Sequence, residues 1–249
     1  MQFTARLDSV PQTLYVTVVG NDAIIRITGY DAFHTKTKFF DRRAGTEQKP
    51  IDGVKTFELP LPIAPDVLMV DIVNENGLDE DIQIVDLKVK DLRTYPLWIR
   101  PKTKAFMEFA MEFSAKASKI KPGRYVSNDK QFAIDFSRHI VNRNTGEKMF
   151  TPARVSRTTG FMEIARHKFL DYTVPMRMLI LLHERMHHEQ DTSEEIEADL
   201  TALRVYLSYG FPATEAIYAT ANIFYDRQDM IERVKQIKNF ILDFQSKRK

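Results

Sequence analysis

Residues 173–199 read TVPMRMLILLHERMHHEQDTSEEIEAD. The first half is an apolar run, with Pro175 placed where a helix takes its first turn. The pattern therefore predicts a buried helix whose polar end carries histidines. His183 and His187 stand four apart and share one face of such a helix, which aims two imidazoles at one point. Glu184 lies about 100° round the helix from His183, near enough to reach a water held at that point. His188 points off the shared face and is expected outside the ligand set. Histidine is scarce elsewhere: the chain has six in 249 residues, so a histidine-rich composition does not explain the cluster.

Glu189 to Ser193 is short and polar, a turn in which Thr192 or Ser193 is placed to cap the next helix. Glu194 to Tyr209 predicts that helix, with an apolar stripe at Ile196, Leu200, Leu203 and Leu207. A third ligand from it would leave one coordination position open, as a catalytic zinc ion requires. Asp191, Glu194, Glu195, Glu197 and Asp199 all lie close in sequence. The small side chain of Ala198 lets the two helices approach, which would face Glu197, Thr201 and Arg204 toward the histidines. The order of preference is Glu197, then Glu194, then Asp199. Turned partly aside, Asp199 suits a supporting role, accepting the distal N–H of a liganding imidazole to fix its tautomer. The chain has no cysteine, so disulfides and thiolate metal sites are excluded and any metal must use His, Asp or Glu.

Further pieces extend the pattern: Pro152-Ala153-Arg154-Val155, then Gly160-Phe161-Met162-Glu163-Ile164, then Arg177 to His187, then Glu195-Ile196-Glu197-Ala198-Asp199. On these, the segment from Pro152 to Tyr225 resembles the small gluzincin-type HExxH zinc metallopeptidases, or zincins, of the kind encoded by phages. The resemblance implies that His183, His187 and Glu197 hold one Zn2+ and that Glu184 is the general base. It also implies that the strand before the active helix, Phe161 to Arg166, is the sheet edge that binds a peptide substrate as an added strand. In overall texture the rest of the chain is similar to virion proteins of phages that infect Bacteroidetes, crAss-like phages included.

In a site of this kind the ion lowers the pKa of a water toward about 7. Glu184 would take its proton and deliver it to the leaving amine. The oxyanion needs a donor as well, and His188, Tyr206, Tyr209 and Tyr218 are the candidates.

A content of 43% hydrophobic and 28% charged residues is that of a soluble globular protein. Its length suits one large domain or two ordinary ones. No apolar stretch reaches the roughly 18 to 20 residues that span a bilayer, and Met1 to Arg6 lacks a signal-peptide pattern. The expected location is the host cytoplasm or a phage virion, with no membrane. Net charge is +2, from 36 basic and 34 acidic residues. That balance, without a basic stripe, argues against nucleic acid, and Lys247-Arg248-Lys249 reads as a solvated chain end.

Residues 1–95 read as an antiparallel β-sandwich of six or seven short strands. Leu14 to Val19 and Ala23 to Thr28 flank Gly20-Asn21-Asp22, a hairpin signal. Val54 to Leu59, Val67 to Val73 and Ile82 to Val89 follow, with Asn76-Gly77 as a turn. Tyr15, Tyr30, Phe33, Phe39 and Phe40 are assigned to the core. From Tyr95 to Pro101, two prolines and the only tryptophan mark a boundary. Residues 96–249 then read as a mainly helical, zincin-like domain with a small sheet. Its expected elements are a helix over Lys102 to Ile120, strands at Phe132–Phe136, Arg154–Ser156 and Phe161–Arg166, the two motif helices, and helices over Ala213–Phe224 and Asp229–Gln245. The fold class is α+β. Two functions fit: a metallopeptidase acting on a protein or peptide, or a structural ring or connector subunit of a virion that uses the zincin domain as a scaffold. In either, the β-sandwich is expected to dock other protein subunits in an oligomeric assembly.

Overall fold

The computed structural model describes residues 1–223 and 230–247. Phe224, Tyr225, Asp229, Arg248 and Lys249, named in the sequence reading, lie outside them. The chain divides into two compact units, Met1–Thr94 with Gly210–Pro212, and Tyr95–Tyr209 with Ala213–Lys249. The class is α+β, as the sequence predicts. No helix among the described residues is long and apolar enough to cross a membrane.

The first unit holds seven strands: β1 (Gln2–Arg6), β2 (Gln12–Ala23), β3 (Ile25–Asp31), β4 (His34–Ala44), β5 (Ile51–Leu61), β6 (Val67–Asn74) and β7 (Ile82–Asp91). They form two antiparallel sheets, ordered β1-β6-β3-β4 and β5-β2-β7. Each sheet has one buried apolar face. Leu14, Val16 and Val18 alternate inward on β2, and Leu68, Val70 and Ile72 on β6.

The expected hairpin around Gly20-Asn21-Asp22 does not form. β2 pairs with β5 and β7, whereas β3 pairs with β4 and β6. Ala23, Ile24 and Ile25 are buried in succession, which breaks the two-face alternation and carries the chain from one sheet to the other. Asp22 takes a positive φ of 51° at the bend. The Ile24 N–H donates to Asn74 Oδ1 (3.1 Å) and Asn76 Oδ1 (2.8 Å), so the Asn76-Gly77 turn braces the crossing.

The second unit begins with α1 (Pro101–Lys116), followed by β8 (Gly123–Val126), β9 (Ala133–Ser137), β10 (Ala153–Val155), β11 (Met162–Ala165) and the short α2 (Arg166–Phe169). Four longer helices follow: α3 (Val174–Glu189), α4 (Glu195–Ser208), α5 (Ala213–Ile223) and α6 (Met230–Ser246). The sheet order is β10-β11-β9-β8, with only β11 and β9 parallel. β8, which falls where the sequence reading ended the first helix, was not foreseen.

The sheet order also corrects the expectation that residues 161–166 form the substrate-binding edge. β11 lies inside the sheet, hydrogen-bonded on both sides, and the edge strands are β10 and β8. The sheet's buried face carries Ile134, Phe136, Met162 and Ile164. Phe113 of α1 meets Phe136 edge-on, with ring centres 5.3 Å apart. Burying each such side chain contributes about 1.5–3 kcal/mol.

Two buried arginines tie α3 to its surroundings. Arg177 donates to the backbone oxygens of Phe169, Leu170 and Ser114 and to the Ser118 hydroxyl. Burial lowers its pKa to about 10, which leaves it cationic at neutral pH. Arg185 lies 5.2 and 5.0 Å from the ring centres of Phe106 and Phe132. It also donates to Glu189 at 2.8 Å.

Candidate metal centre

Thr173 caps α3, its hydroxyl accepting the Met176 N–H, and Pro175 sits in the first turn. Leu179, Leu181 and Leu182 are buried, so packing fixes the rotation of the helix and with it the direction of the histidines. The Nε2 atoms of His183 and His187 lie 3.0 Å apart, and the rings stand at 89° to one another.

Both tautomers follow from the partners. His183 Nδ1 is 2.8 Å from Asp199 Oδ1, and His187 Nδ1 is 2.9 Å from the Thr192 backbone oxygen. A carboxylate and a carbonyl only accept, so each Nδ1 carries the hydrogen and each Nε2 presents a lone pair. Two lone pairs 3.0 Å apart repel unless a proton or a cation lies between them.

The carboxylate that joins them is Glu195. Its Oε2 is 3.3 Å from His183 Nε2 and 3.8 Å from His187 Nε2. Among the described residues, these three side chains form a group able to hold a metal ion. Donors about 2.0–2.1 Å from a tetrahedral zinc ion stand about 3.3 Å from one another. The three separations here, 3.0, 3.3 and 3.8 Å, bracket that spacing, so two nitrogens and one oxygen fit the ion.

The sequence reading ranked Glu197, Glu194 and Asp199 for this place and left Glu195 unranked. Glu197 instead accepts the Thr192 hydroxyl hydrogen at 2.9 Å, and Glu194 is the exposed N-cap of α4, without a side-chain capping bond. The Thr192 hydroxyl does not cap α4; it accepts the Glu194 N–H and donates to Glu197. The reason is helical phase. Glu195 and Asp199 are four apart and share a face, while Glu197 lies about 200° from each. Ala198 and Ala202, both buried, mark that face. Ala198 does lie on the approach side, but Glu197 stands about 100° from it, whereas Glu195 stands about 60° away on the other side.

Arg233 of α6 is the residue for which the sequence carried no signal. It is buried and donates to Asp199 Oδ2 through Nε (2.9 Å) and Nη2 (2.6 Å). Its Nη2 is also 3.4 Å from Glu195 Oε2. One guanidinium thus holds both carboxylates that address His183.

Charge follows geometry. Burial works against a protonated His183, but the hydrogen bonds of Asp199 and Glu195 prevail and raise its pKa to about 9. His187 is raised as well, chiefly by Glu195. Glu184 is also raised: burial pushes its carboxyl up, against the pull of the two histidines and of the Val155 backbone. α3, which carries Glu184, packs against β10.

The expected oxyanion donors come from α3, α4 and its C-cap, and α5. His188 Nδ1 is 2.5 Å from the Arg157 backbone oxygen, which commits it to the β10–β11 loop. Tyr206 is fully buried in α4, and Tyr218 is half-exposed on α5. Tyr209 follows α4 as its C-cap. No family model, curated protein or solved structure matches this chain.

Proposed function

We propose that the chain is a zinc-dependent peptidase of the zincin kind. The observation that carries this reading is the convergence of two imidazole lone pairs and the Glu195 carboxylate on one point, with the Glu184 carboxylate beside it. Two histidines and a glutamate are a donor set of catalytic zinc sites, three protein ligands with one position left for water or substrate. When bound, the ion lowers the pKa of a coordinated water toward about 7 and polarises the carbonyl under attack.

The rest falls to the protein's own groups. Glu184, whose carboxyl is pushed up by burial, is the base; it accepts a proton from the attacking water and passes it to the departing amine. Among the described residues no strand pairs with the outer side of β10, so an extended peptide can add there by backbone hydrogen bonding, its scissile bond beside Glu184. Asp199 and the Thr192 carbonyl keep both imidazoles in the ligating tautomer, and Arg233 keeps Asp199 aimed.

Two measurements test the reading together. Protein purified without chelators should contain one zinc per chain. Glu184→Gln should keep the metal and lose hydrolysis of an internally quenched peptide library. A Glu184→Gln protein that hydrolyses as fast as the wild type removes the assignment.

A further inference from the structure

Beside β10 lies a second constellation of charges that the metal centre does not use. It surrounds a cleft of about 700 Å³ whose lining includes Arg124, Arg143, Arg154, Val155, Phe161 and Glu163. Val155, of β10, lines the cleft, and α3, which carries Glu184, packs against β10. The cleft therefore begins on a strand that faces the helix of the proposed base.

Its charges do not cancel. Arg154 donates to Glu163 Oε2 at 2.6 Å and to the Val141 backbone oxygen at 3.0 Å. Burial pushes the Glu163 carboxyl up, but Arg154 outweighs it and holds the group below the usual range; Glu163 is thus an ionised partner already engaged. Arg143 reaches the other Glu163 oxygen only at 3.5 Å and is 74% exposed. Arg124 lies 5.1 Å from the centre of the Phe161 ring and has no carboxylate partner among the described residues. Stacking on an aromatic face pre-organises a guanidinium and leaves its donors turned outward.

Register places Arg154, Glu163 and Arg124 on one face of the sheet. Arg154 is opposite Glu163, Glu163 opposite Asp135, and Asp135 opposite Arg124. Asp135, the second carboxylate of that row, does not line the cleft. Arg124, from β8 at the other edge of the sheet, and Arg143 thus bring two incompletely matched guanidiniums to the lining of a cleft that reaches Val155 on β10.

Resting on the peptidase reading, we propose that this cleft receives an acidic side chain, Asp or Glu, of a peptide seated along β10, and that Arg124 and Arg143 select it. A guanidinium presents paired N–H donors that match a carboxylate two at a time. Side chains of an added strand alternate between the two faces of the sheet, so an extended peptide on β10 directs every second residue to the face that bears these arginines. A nucleic acid fits less well, because the chain is nearly charge-balanced and the cleft is a local pair of cations rather than a basic track.

The test reads binding without turnover. A short fluorescent peptide alternating Glu and Ala, its Gln counterpart and a thymidine oligonucleotide are titrated against zinc-loaded Glu184→Gln protein by anisotropy. The Glu peptide should bind about tenfold more tightly than the Gln peptide, and the difference should vanish in an Arg124→Ala/Arg143→Ala variant with unchanged circular dichroism and metal content. Equal binding of the two peptides, a preference that survives the double variant, or tighter binding of the oligonucleotide overturns the proposal. A protein that discriminates yet hydrolyses nothing refutes only the peptidase reading. One that hydrolyses without discriminating refutes only this one.

Discussion

Asp199 accepts the Nδ1–H of His183 at 2.8 Å through one carboxylate oxygen, while Arg233 holds the other at 2.6 Å. A liganding imidazole steadied in this way keeps its Nε2 lone pair on the metal position. Asp199→Ala should weaken zinc binding about 10- to 100-fold, the usual cost of losing such a partner. Competition with a chromophoric chelator measures it; an unchanged affinity would take Asp199 out of the site.

Glu195 and Glu197 are two residues apart and offer a paired test. Glu195→Gln should lower the metal content of the purified protein well below one ion per chain, because it removes a charged donor. Glu197→Gln should leave metal content unchanged, since its carboxylate contacts Thr192. Native mass spectrometry distinguishes them, and the reverse result would restore Glu197 as the third ligand.

At the proposed metal site, protons compete with metal. His183 has its pKa raised to about 9, so at pH 7 the metal-free site is protonated and zinc must expel that proton. Calorimetric titration at pH 7 in buffers of different ionisation enthalpy should show release of about one proton or more. For the metal-free fold the sign is opposite. A histidine whose folded pKa exceeds its ordinary 6.5 stabilises fully below 6.5, and that contribution is lost as pH rises through about 9. His187 and Glu184 are also raised and act in the same direction. In chelator, the melting temperature should therefore fall between pH 6.5 and 9.5, while the gain on adding zinc grows. A zinc-induced gain independent of pH would contradict the coupling.

Gly160 adopts φ +70°, and a Cβ built there would stand 2.8 Å from the His188 ring. Gly160→Ala combines an unfavourable backbone with a collision and should cost about 1–3 kcal/mol. Since His188 also bonds the Arg157 carbonyl, the damage should fall on the β10–β11 loop. Urea unfolding gives the loss in stability, and hydrogen exchange at residues 153–165 should rise first.

Arg177→Ala should destabilise by about 3 kcal/mol or more, because the backbone oxygens of Phe169, Leu170 and Ser114 lose their buried donor. Metal stoichiometry of the folded fraction should stay the same. A variant as stable as the wild type would mean that water replaces the guanidinium without cost.

The histidine pair was legible because a four-residue spacing maps onto one helix face whatever surrounds the helix. The α+β class was legible for a similar reason: alternation up to Asp91 and helical periodicity after Pro101 are local signals. The missed β8 has only four residues, mostly exposed, too few to show a period. The false hairpin failed because its turn signal describes three residues, while strand partners are chosen by distant residues such as Asn74 and Asn76.

By itself, then, the chain's order of residues determined two imidazoles on one face, a carboxylate beside them and an absence of thiolates. These follow from covalent spacing and helix geometry alone. Tertiary structure decided which acidic residue joins them, which strand forms the edge, and that Arg233 closes the ring of charges. Each of those depends on how one helix or strand is rotated against another, and that rotation is set by packing summed over many side chains.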